Sequence, residues 1–422
     1  MPSESAADRI RASLDVRGRE LGATIEILPS SAGPRTRRSG GVAGLAVGVK
    51  ANIAVRGAVW SAGIGARSTL VATDDSPVVA ALREAGADIA AVLNMAEAAL
   101  GATTNNEFFG IGRNPHDLER TCGGSSGGSG AAVGDGLIPI ALGTDTMGSV
   151  RVPAAYCGCV GFKPSNGLVP TNGVVSLSTL LDCVGPLAVD VSTAVAALRI
   201  MVAPATAGPW SPPAHQRFDW DRPPRLPDRL VVPTELLTHD LEPDVDQAFE
   251  HVVDLLRANG VEIVERRIGI DLARLRRRGL VLCEAEGAAI HAELLATNPE
   301  GFSAHVRSMF AFGASKTATE LADVIHELLA MGAAIGDCLG DSDGFLTPTT
   351  PHVAFDVAGA APADQADFTA FANVAGLPAI SLPAQRRHGE LPVGIQLVGR
   401  RLADDRLAAY ALALEALLAS AP

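Results

Sequence analysis

Aromatic residues and positive charge are both scarce in this sequence. Phe, Trp and Tyr make up 4% of the 422 residues, so a folded core would have to be mainly aliphatic. The 34 Lys and Arg residues are outnumbered by 47 Asp and Glu residues, which gives a formal net charge of −13. Binding to nucleic acid or to an anionic membrane surface needs clustered Lys and Arg. We therefore expect neither partner, and we interpret the short basic runs at 35–38 and 274–278 as solvated surface.

Long apolar runs and a dense set of cysteines are also missing. No apolar run approaches the ~20 residues that cross a bilayer, and the N-terminal residues contain no apolar core of a signal peptide. The six cysteines are too few for a disulfide framework in a chain of this length. Cys157 and Cys159 are one residue apart, which fits neither a zinc knuckle nor a C-x-x-C redox pair. The sequence predicts a cytoplasmic protein with reduced, partly buried thiols and without a metal or cofactor.

Alternating helix and strand patterns run through most of the chain. Residues 75–93 read DSPVVAALREAGADIAAVL, in which Asp75 or Ser76 caps a helix that ends at Gly86, before a buried strand. A similar helix–strand unit occupies about 130–142. Strands that alternate with helices indicate an α/β protein with a covered sheet.

The remaining patterns suggest how the chain is organised. Residues 1–38 form a polar segment that begins as a helix, and 203–229 is a Pro-rich stretch. We interpret this stretch as a surface excursion, because the strand patterns on both sides could share one sheet. Residues 270–340 are mostly helical in pattern, and strand patterns then lead to a last helix at 403–419. We predict a single domain that spans the whole chain, residues 1–422.

The stretch TCGGSSGGSG at 121–130 is unusually rich in glycine and serine. A flexible linker is disfavoured, because apolar helix and strand patterns resume at once. A phosphate-binding loop of the G-x-x-x-x-G-K-[ST] type needs a lysine where Ser129 follows Gly128. A nucleophile elbow of the G-x-S-x-G type, centred on Ser125 or Ser126, needs a preceding strand and a marked downstream histidine, and the sequence shows neither. This stretch alone leaves its role open.

The residues that follow the stretch extend the pattern. The string GGSSGGSGAAVGDGLIPIALGTDTMGSVRVPAAYCGCVGFKPS closely resembles the signature of the amidase signature family. Upstream, GLAVGVKANIAVRG is similar to the lysine segment of that family, and LDCVGPLA, GFLTPTTP, NVAGLPAISLPA and LPVGIQLVGRR resemble further family segments in the same order. The resemblance covers about residues 40–419. It implies the amidase signature fold, an α/β/α sandwich with a central mixed β-sheet covered by helices.

The resemblance also implies a serine amidohydrolase with three catalytic residues. Ser149 matches the nucleophile, Ser125 matches the serine of a cis peptide that relays the proton, and Lys50 matches the base. These residue types suit the chemistry, since the attacking serine must lose a proton and the leaving nitrogen must gain one. A lysine can serve as base only when it is neutral, and burial lowers its pKa. The apolar run GLAVGVK supplies such surroundings for Lys50, so we expect an acyl-enzyme on Ser149.

Backbone groups near the nucleophile are expected to bind the substrate. The resemblance implies an oxyanion hole formed by the N–H groups of Thr146, Met147, Gly148 and Ser149, and it places Gly101 in the acyl pocket. Met147 replaces a glycine that is common in the family. We expect its side chain to line or narrow the pocket, since the donor at this position is a backbone group.

Other residues of the signature are expected to have structural roles. We interpret Asp145 and Arg151 as an ion pair that shapes the loop, and Ser126 and Ser129 as loop-fixing hydrogen bonders. Ala51 stands where the family commonly has an aspartate directly after the lysine. The hydrogen-bond support of the lysine must therefore differ from that in other family members.

The substrate class and the assembly form the last part of the prediction. Arg307, in AHVRSMF, is either a ligand for a substrate carboxylate or a surface helix arginine. We predict a homodimeric amidase that cleaves the carbon–nitrogen bond of a small-molecule amide. The alternative is an amidotransferase-type or non-catalytic subunit of a multi-protein complex, which Ala51 and Met147 keep open.

Overall fold

A computed structural model describes residues 5–30, 41–202, 212–213, 216–237, 239–384 and 389–420. The basic run at 35–38 and residues 203–211 of the Pro-rich stretch lie outside these ranges. The six thiols are free and five of them are buried, as predicted.

Strands occur along most of the described chain. They are β1 (Thr24–Ile27), β2 (Ala46–Lys50), β3 (Asp88–Leu93), β4 (Asn105–Asn106), β5 (Gly110–Ile111), β6 (Ile140–Asp145), β7 (Val160–Lys163), β8 (Cys183–Ala188), β9 (Arg229–Pro233), β10 (Glu262–Arg266), β11 (Gly344–Pro348), β12 (Ala379–Pro383) and β13 (Gly394–Gly399). Eleven of them form one sheet in the order β1-β3-β2-β6-β8-β7-β12-β13-β11-β9-β10, and β4 pairs with β5. The pairs β3-β2, β2-β6, β11-β9 and β9-β10 are parallel and the other pairs of the large sheet are antiparallel, so the sheet is mixed.

Helices connect and cover the strands. They are α1 (Ala6–Glu20), α2 (Pro77–Glu84), α3 (Gly127–Gly134), α4 (Arg151–Cys157), α5 (Val191–Met201), α6 (Thr234–Leu237), α7 (Pro243–Ala258), α8 (Leu272–Ile290), α9 (Ala292–Thr297), α10 (Ala304–Ala314), α11 (Ala318–Leu339), α12 (Asp367–Val374) and α13 (Asp404–Ser420), with short 3-10 turns at Gly65–Arg67, Glu97–Ala99 and Pro299–Gly301. Across the described helices, none combines the length and apolarity that crossing a membrane requires.

The centre of the sheet is covered on both faces. Every residue of β2, β3, β6, β8 and β13 is buried. Successive side chains of a strand point to opposite faces of a sheet, so a fully buried strand has other elements packed on both sides. This confirms the predicted α/β/α architecture with a central mixed sheet.

The unit formed by α2 and β3 shows how the sequence sets the bounds of an element. The Ser76 side chain accepts a hydrogen bond from the Val79 backbone N–H and so caps the helix. Pro77 occupies the first turn, where its missing N–H costs no hydrogen bond. Gly86, just beyond the helix, has φ of 91°, which glycine adopts without a steric cost. The predicted helix–strand unit is confirmed, with Ser76 rather than Asp75 as the cap.

Strands on both sides of the Pro-rich stretch belong to the same sheet. β8 precedes the stretch and β9 follows it, and both lie in the eleven-stranded sheet, as the flanking patterns suggested. The polar N-terminal segment begins with α1, also as predicted. It continues into β1, which pairs antiparallel with β3 at the edge of the sheet and was not predicted.

The sheet brings two parts of the chain together at one edge. β2 and β6 are adjacent and parallel, with Val49 paired to Leu142. Lys50 is the last residue of β2, and Asp145 is the last residue of β6. Because parallel strands end at the same edge of a sheet, the segments after both strands meet there.

Candidate active site

Lys50 is a buried lysine at the carboxyl end of β2, with 0% of its surface exposed. Its Nζ donates hydrogen bonds to Ser125 Oγ and to Thr144 Oγ1, both at 2.8 Å. Burial lowers the pKa of Lys50 from 10.5 to about 7, and the carboxylates of Asp182 and Asp145 oppose this shift. A substantial fraction of Lys50 is therefore neutral near pH 7, as a general base requires.

Ser125 lies in the tight loop that precedes α3. The Gly124–Ser125 peptide is cis, as the family resemblance implied, and Ser125 is fully buried. A side chain at Gly124 would place its Cβ 2.7 Å from the Thr103 backbone nitrogen, so only glycine fits at this point. The close approach of two main-chain segments holds Ser125 next to Lys50.

Two other serines attach this loop and the first turn of α3 to β6. Ser126 Oγ donates to the Thr144 carbonyl oxygen at 3.2 Å, and Ser129 Oγ donates to the Leu142 carbonyl oxygen at 3.0 Å. Both side chains are buried. Their predicted role as loop-fixing hydrogen bonders is confirmed.

Ser149 lies in the loop that joins β6 to α4. The residue is half-buried and borders a cavity, together with Gly124 of the cis-peptide loop. Its backbone carbonyl oxygen accepts a hydrogen bond from the Ser126 N–H at 3.3 Å, which attaches the two loops to each other. Within the described part of the chain, no side-chain hydrogen bond joins Ser149 to Ser125. Lys50 and Ser125 are thus bonded directly, and Ser149 is attached to them through the main chain.

An ion pair beneath the Ser149 loop has no exposed surface. Arg151 Nη2 lies 2.9 Å from Asp145 Oδ1, and the same arginine donates to Gln396 Oε1 and Asn373 Oδ1, both at 2.6 Å. Burial alone would raise the pKa of Asp145, but its hydrogen bonds and the charge of Arg151 lower it to about 2. Asp145 also accepts a hydrogen bond from the Gly148 N–H at 2.7 Å. The predicted loop-shaping ion pair is confirmed.

The backbone N–H groups of the Ser149 loop differ in availability. The Gly148 N–H is already bonded to Asp145, so it is not free for a substrate oxygen in this structure. Among the described residues, the N–H groups of Thr146, Met147 and Ser149 have no protein acceptor. These three residues border the cavity, so three of the four expected oxyanion donors remain available.

The cavity beside Ser149 has a volume of about 240 Å³. Its wall contains every residue expected to bind the substrate, namely Gly101, Thr146, Met147 and Gly148. Most of the remaining wall is apolar and includes Leu100, Val152, Leu177, Leu280 and Met309. Such a space suits a short, largely apolar acyl group.

Two residues near Lys50 were not singled out from the sequence. The Thr144 hydroxyl accepts the second hydrogen bond of the amine, next to an Ala51 that offers no carboxylate. Asp182 is buried and accepts a 2.6 Å hydrogen bond from Thr146 Oγ1, and burial raises the pKa of its carboxyl group. Both residues lie in segments that carried the family resemblance, TDTMGSV and LDCVGPLA, but their positions there did not reveal a contact with the lysine.

The arginines of the helical region differ from the prediction. Arg307, the candidate for a substrate carboxylate, donates to Glu300 Oε1 at 3.0 Å and to the Pro299 carbonyl oxygen, and it does not border the cavity. Arg276 does border the cavity, and only 18% of its side chain is exposed. The interpretation of the run at 274–278 as solvated surface is therefore wrong for Arg276. Consecutive arginines carry no pattern that shows which one points inward.

Comparison with known proteins agrees with this geometry. A family model described as Amidase matches residues 3–408. A subunit of glutamyl-tRNA(Gln) amidotransferase from Symbiobacterium thermophilum is 33% identical over 410 residues, which cover 89% of this chain and 83% of that protein. The corresponding protein of Thermotoga maritima, which carries the same name, is 32% identical over 414 residues, covering 88% of this chain and 84% of that protein.

Solved structures give the same result. The crystal structure of the Thermotoga maritima protein superposes with a TM-score of 0.83 at 30% identity, covering 97% of this chain and 90% of that chain. A crystal structure described as an amidase superposes with a TM-score of 0.85 at 30% identity, covering 98% and 96%. The family model, the relatives and the shared fold together show that this chain belongs to the amidase signature family.

Proposed function

We propose that this chain cleaves the carbon–nitrogen bond of a small amide through an acyl-enzyme on Ser149. The observation that carries the proposal is the buried Lys50, whose lowered pKa supplies a neutral amine within 2.8 Å of Ser125 Oγ. An amide is a poor electrophile, so its cleavage needs an activated hydroxyl and a protonated leaving nitrogen. The Lys50–Ser125 pair beside Ser149 offers a route for both proton transfers.

The proposed reaction proceeds in two halves. Ser149 Oγ attacks the carbonyl carbon while its proton passes to Ser125, whose own proton passes to Lys50. The same path then returns a proton to the nitrogen as the carbon–nitrogen bond breaks, which leaves the acyl group on Ser149. Water, activated by the same relay, attacks the ester and releases the acid. The free N–H groups at Thr146, Met147 and Ser149 would stabilise the negative oxygen that forms in each half.

The fate of the released nitrogen separates two versions of this function. A free-standing amidohydrolase would lose it as ammonia or an amine, whereas an amidotransferase-type subunit would pass it to a partner. The relatives at 33% and 32% identity are named as subunits of a glutamyl-tRNA(Gln) amidotransferase, which favours the second version over the first. Both versions require the same Ser149 acyl-enzyme.

Fluorophosphonate labelling tests the shared step without any partner subunit. We expect one adduct, mapped by peptide mass spectrometry to Ser149, in the purified chain. Ser149→Ala should abolish labelling, whereas Ser129→Ala, a matched change at a loop-fixing serine, should retain it at a reduced rate. An adduct mapped to any other serine, or a chain with no adduct, would contradict the proposal.

Turnover by the chain alone separates the two versions. A panel of amides that varies in size and charge should be hydrolysed by a free-standing amidase. If Ser149 is labelled but no amide is turned over, the amidotransferase-type version is supported. If Ser149 is not labelled at all, a non-catalytic subunit is the conclusion.

A further inference from the structure

We infer that Arg276 anchors a carboxylate of the substrate, so that the site selects amides whose acyl group ends in a carboxylate. This inference rests on the proposed function, because it assigns the substrate class of the same cavity. It concerns an arginine that the proton-transfer route does not use.

Arg276 is fixed at one end and free at the other. Its Nε donates to Asp367 Oδ1 at 2.5 Å, and Asp367 is almost fully buried, with 2% of its side chain exposed. Among the described residues, the two Nη groups of Arg276 have no hydrogen-bond partner. The guanidinium group therefore presents two unsatisfied donors while its position is set from behind. Two parallel N–H groups in this arrangement match the two oxygens of a carboxylate.

The position of Arg276 on α8 directs it toward the cavity. Gly279 and Leu280 lie three and four residues further along the helix, which places all three on one face. A Cβ added at Gly279 would lie 2.7 Å from Met147 Sδ, so this face packs against the Ser149 loop. Leu280 borders the cavity, as Arg276 does.

The charge of the cavity wall favours an anion. The whole chain has a formal net charge of −13, yet no Asp or Glu occurs among the described residues that border the cavity. Arg276 and His305 are the basic side chains on that wall. A carboxylate there would meet a cation in a mostly apolar space, where the attraction is stronger than in water.

The same absence disfavours substrates that also carry an ammonium group. Glutamine has both a carboxylate and an ammonium next to each other, and the described wall offers no carboxylate to pair with the ammonium. The monoamide of a simple dicarboxylic acid carries the carboxylate alone. Its methylene chain would lie against apolar side chains such as Leu280 and Met309.

Helix α12 links the proposed anchor to the catalytic loop. Asp367, at the start of α12, holds Arg276, and Thr369 of the same helix donates from Oγ1 to the Met147 carbonyl oxygen at 2.6 Å. Asn373, one turn further on, donates to Asp145. One helix therefore sets the spacing between the guanidinium group and the Ser149 loop.

The experiment compares two series of amides of matched chain length, one ending in a carboxylate and one ending in a methyl group. We expect the wild-type chain to prefer the carboxylated series in kcat/KM. Arg276→Met should lower kcat/KM for that series by about 10- to 100-fold, mostly through KM, because a hydrogen-bonded charged contact is lost. The methyl series should change less than about threefold, since it makes no such contact. Arg276→Lys should retain part of the preference, and Arg278→Met should retain all of it, because Arg278 pairs with Glu327 outside the cavity.

A binding measurement keeps the inference testable if the chain alone turns over no amide. Calorimetry with a dicarboxylic acid and with the matched monocarboxylic acid should show tighter binding of the dicarboxylic acid, and Arg276→Met should remove the difference. An equal loss for both amide series, or equal binding of both acids by the wild type, would overturn the inference. Absence of Ser149 labelling with the binding difference intact would instead overturn the catalytic proposal and leave the anchor in place.

Discussion

The reactivity of Ser149 should depend on pH through one buried amine. Only the neutral form of Lys50 can take the proton, so the rate should rise as the pH increases through its pKa and should then level off. The cause of the low pKa of about 7 is burial, since no part of the side chain is exposed. An ordinary lysine, with a pKa of 10.5, would place the plateau far outside the neutral range.

The size of the effect follows from the pKa. With a value of about 7, about a tenth of Lys50 is neutral at pH 6 and about nine tenths at pH 8, so the rate should rise about tenfold between them and little above. With a pKa of 10.5, the same interval would give a rise of about 100-fold, and the rate would continue to rise beyond pH 9. The rate constant of fluorophosphonate labelling at Ser149 measures this step directly.

The chain contains three lysines, which makes the control simple. Lys316→Met changes a lysine whose Nζ stacks on the Phe312 ring, and it should leave the pH profile unchanged. Lys50→Arg keeps a cation that stays protonated throughout the range, and it should lower labelling by several orders of magnitude. A profile that rises through pH 9 without a plateau, or near-native labelling of Lys50→Arg, would refute the role of Lys50.

Two further predictions concern stability. Lys50→Met should be more stable than the wild type at pH 6, because the folded wild type holds a buried ammonium; the gap between 10.5 and about 7 corresponds to about 5 kcal/mol before lost hydrogen bonds are subtracted. Above about pH 7 the folded lysine binds fewer protons than the unfolded one, so this advantage should shrink by about 1.4 kcal/mol per pH unit, and urea unfolding that shows no such slope would contradict the assigned pKa. Asp145→Asn should lower the free energy of unfolding by about 3–5 kcal/mol, since it leaves Arg151 as a buried charge. In the same denaturation assay Asp221→Asn, in an exposed ion pair, should cost less than about 1 kcal/mol, and equal losses in both variants would contradict the buried-pair argument.

The sequence predicted the catalytic loops well because their signals are local. The glycines and serines of 121–130 are required by contacts within a few ångströms, such as that between Gly124 and the Thr103 backbone. The burial of Lys50 followed from the apolar run that it ends. Helix caps and glycine stops likewise set the bounds of elements such as α2 from neighbouring residues alone.

The features that the sequence did not reveal depend on residues far apart in the chain. Arg276 and Asp367 are separated by 91 positions, and nothing around either residue indicates the pairing. The occupied Gly148 N–H depends on the direction of the Asp145 carboxylate, which is set by its buried partners. β1 is short and half-buried, so its pattern is too weak to separate from a loop.

The order of strands and helices also bears on how such a chain can diverge. Lys50, Ser125 and Ser149 all come from the first half of the chain, around β2 and β6, whereas Arg276 and Asp367 come from α8 and α12 in the second half. Substitutions on α8 can therefore alter which acyl groups are accepted while the strands that carry the proton path stay untouched. A recombinant that receives α8 and α12 together from a relative would inherit a new preference as a unit, because the arginine and its buried partner would move with each other.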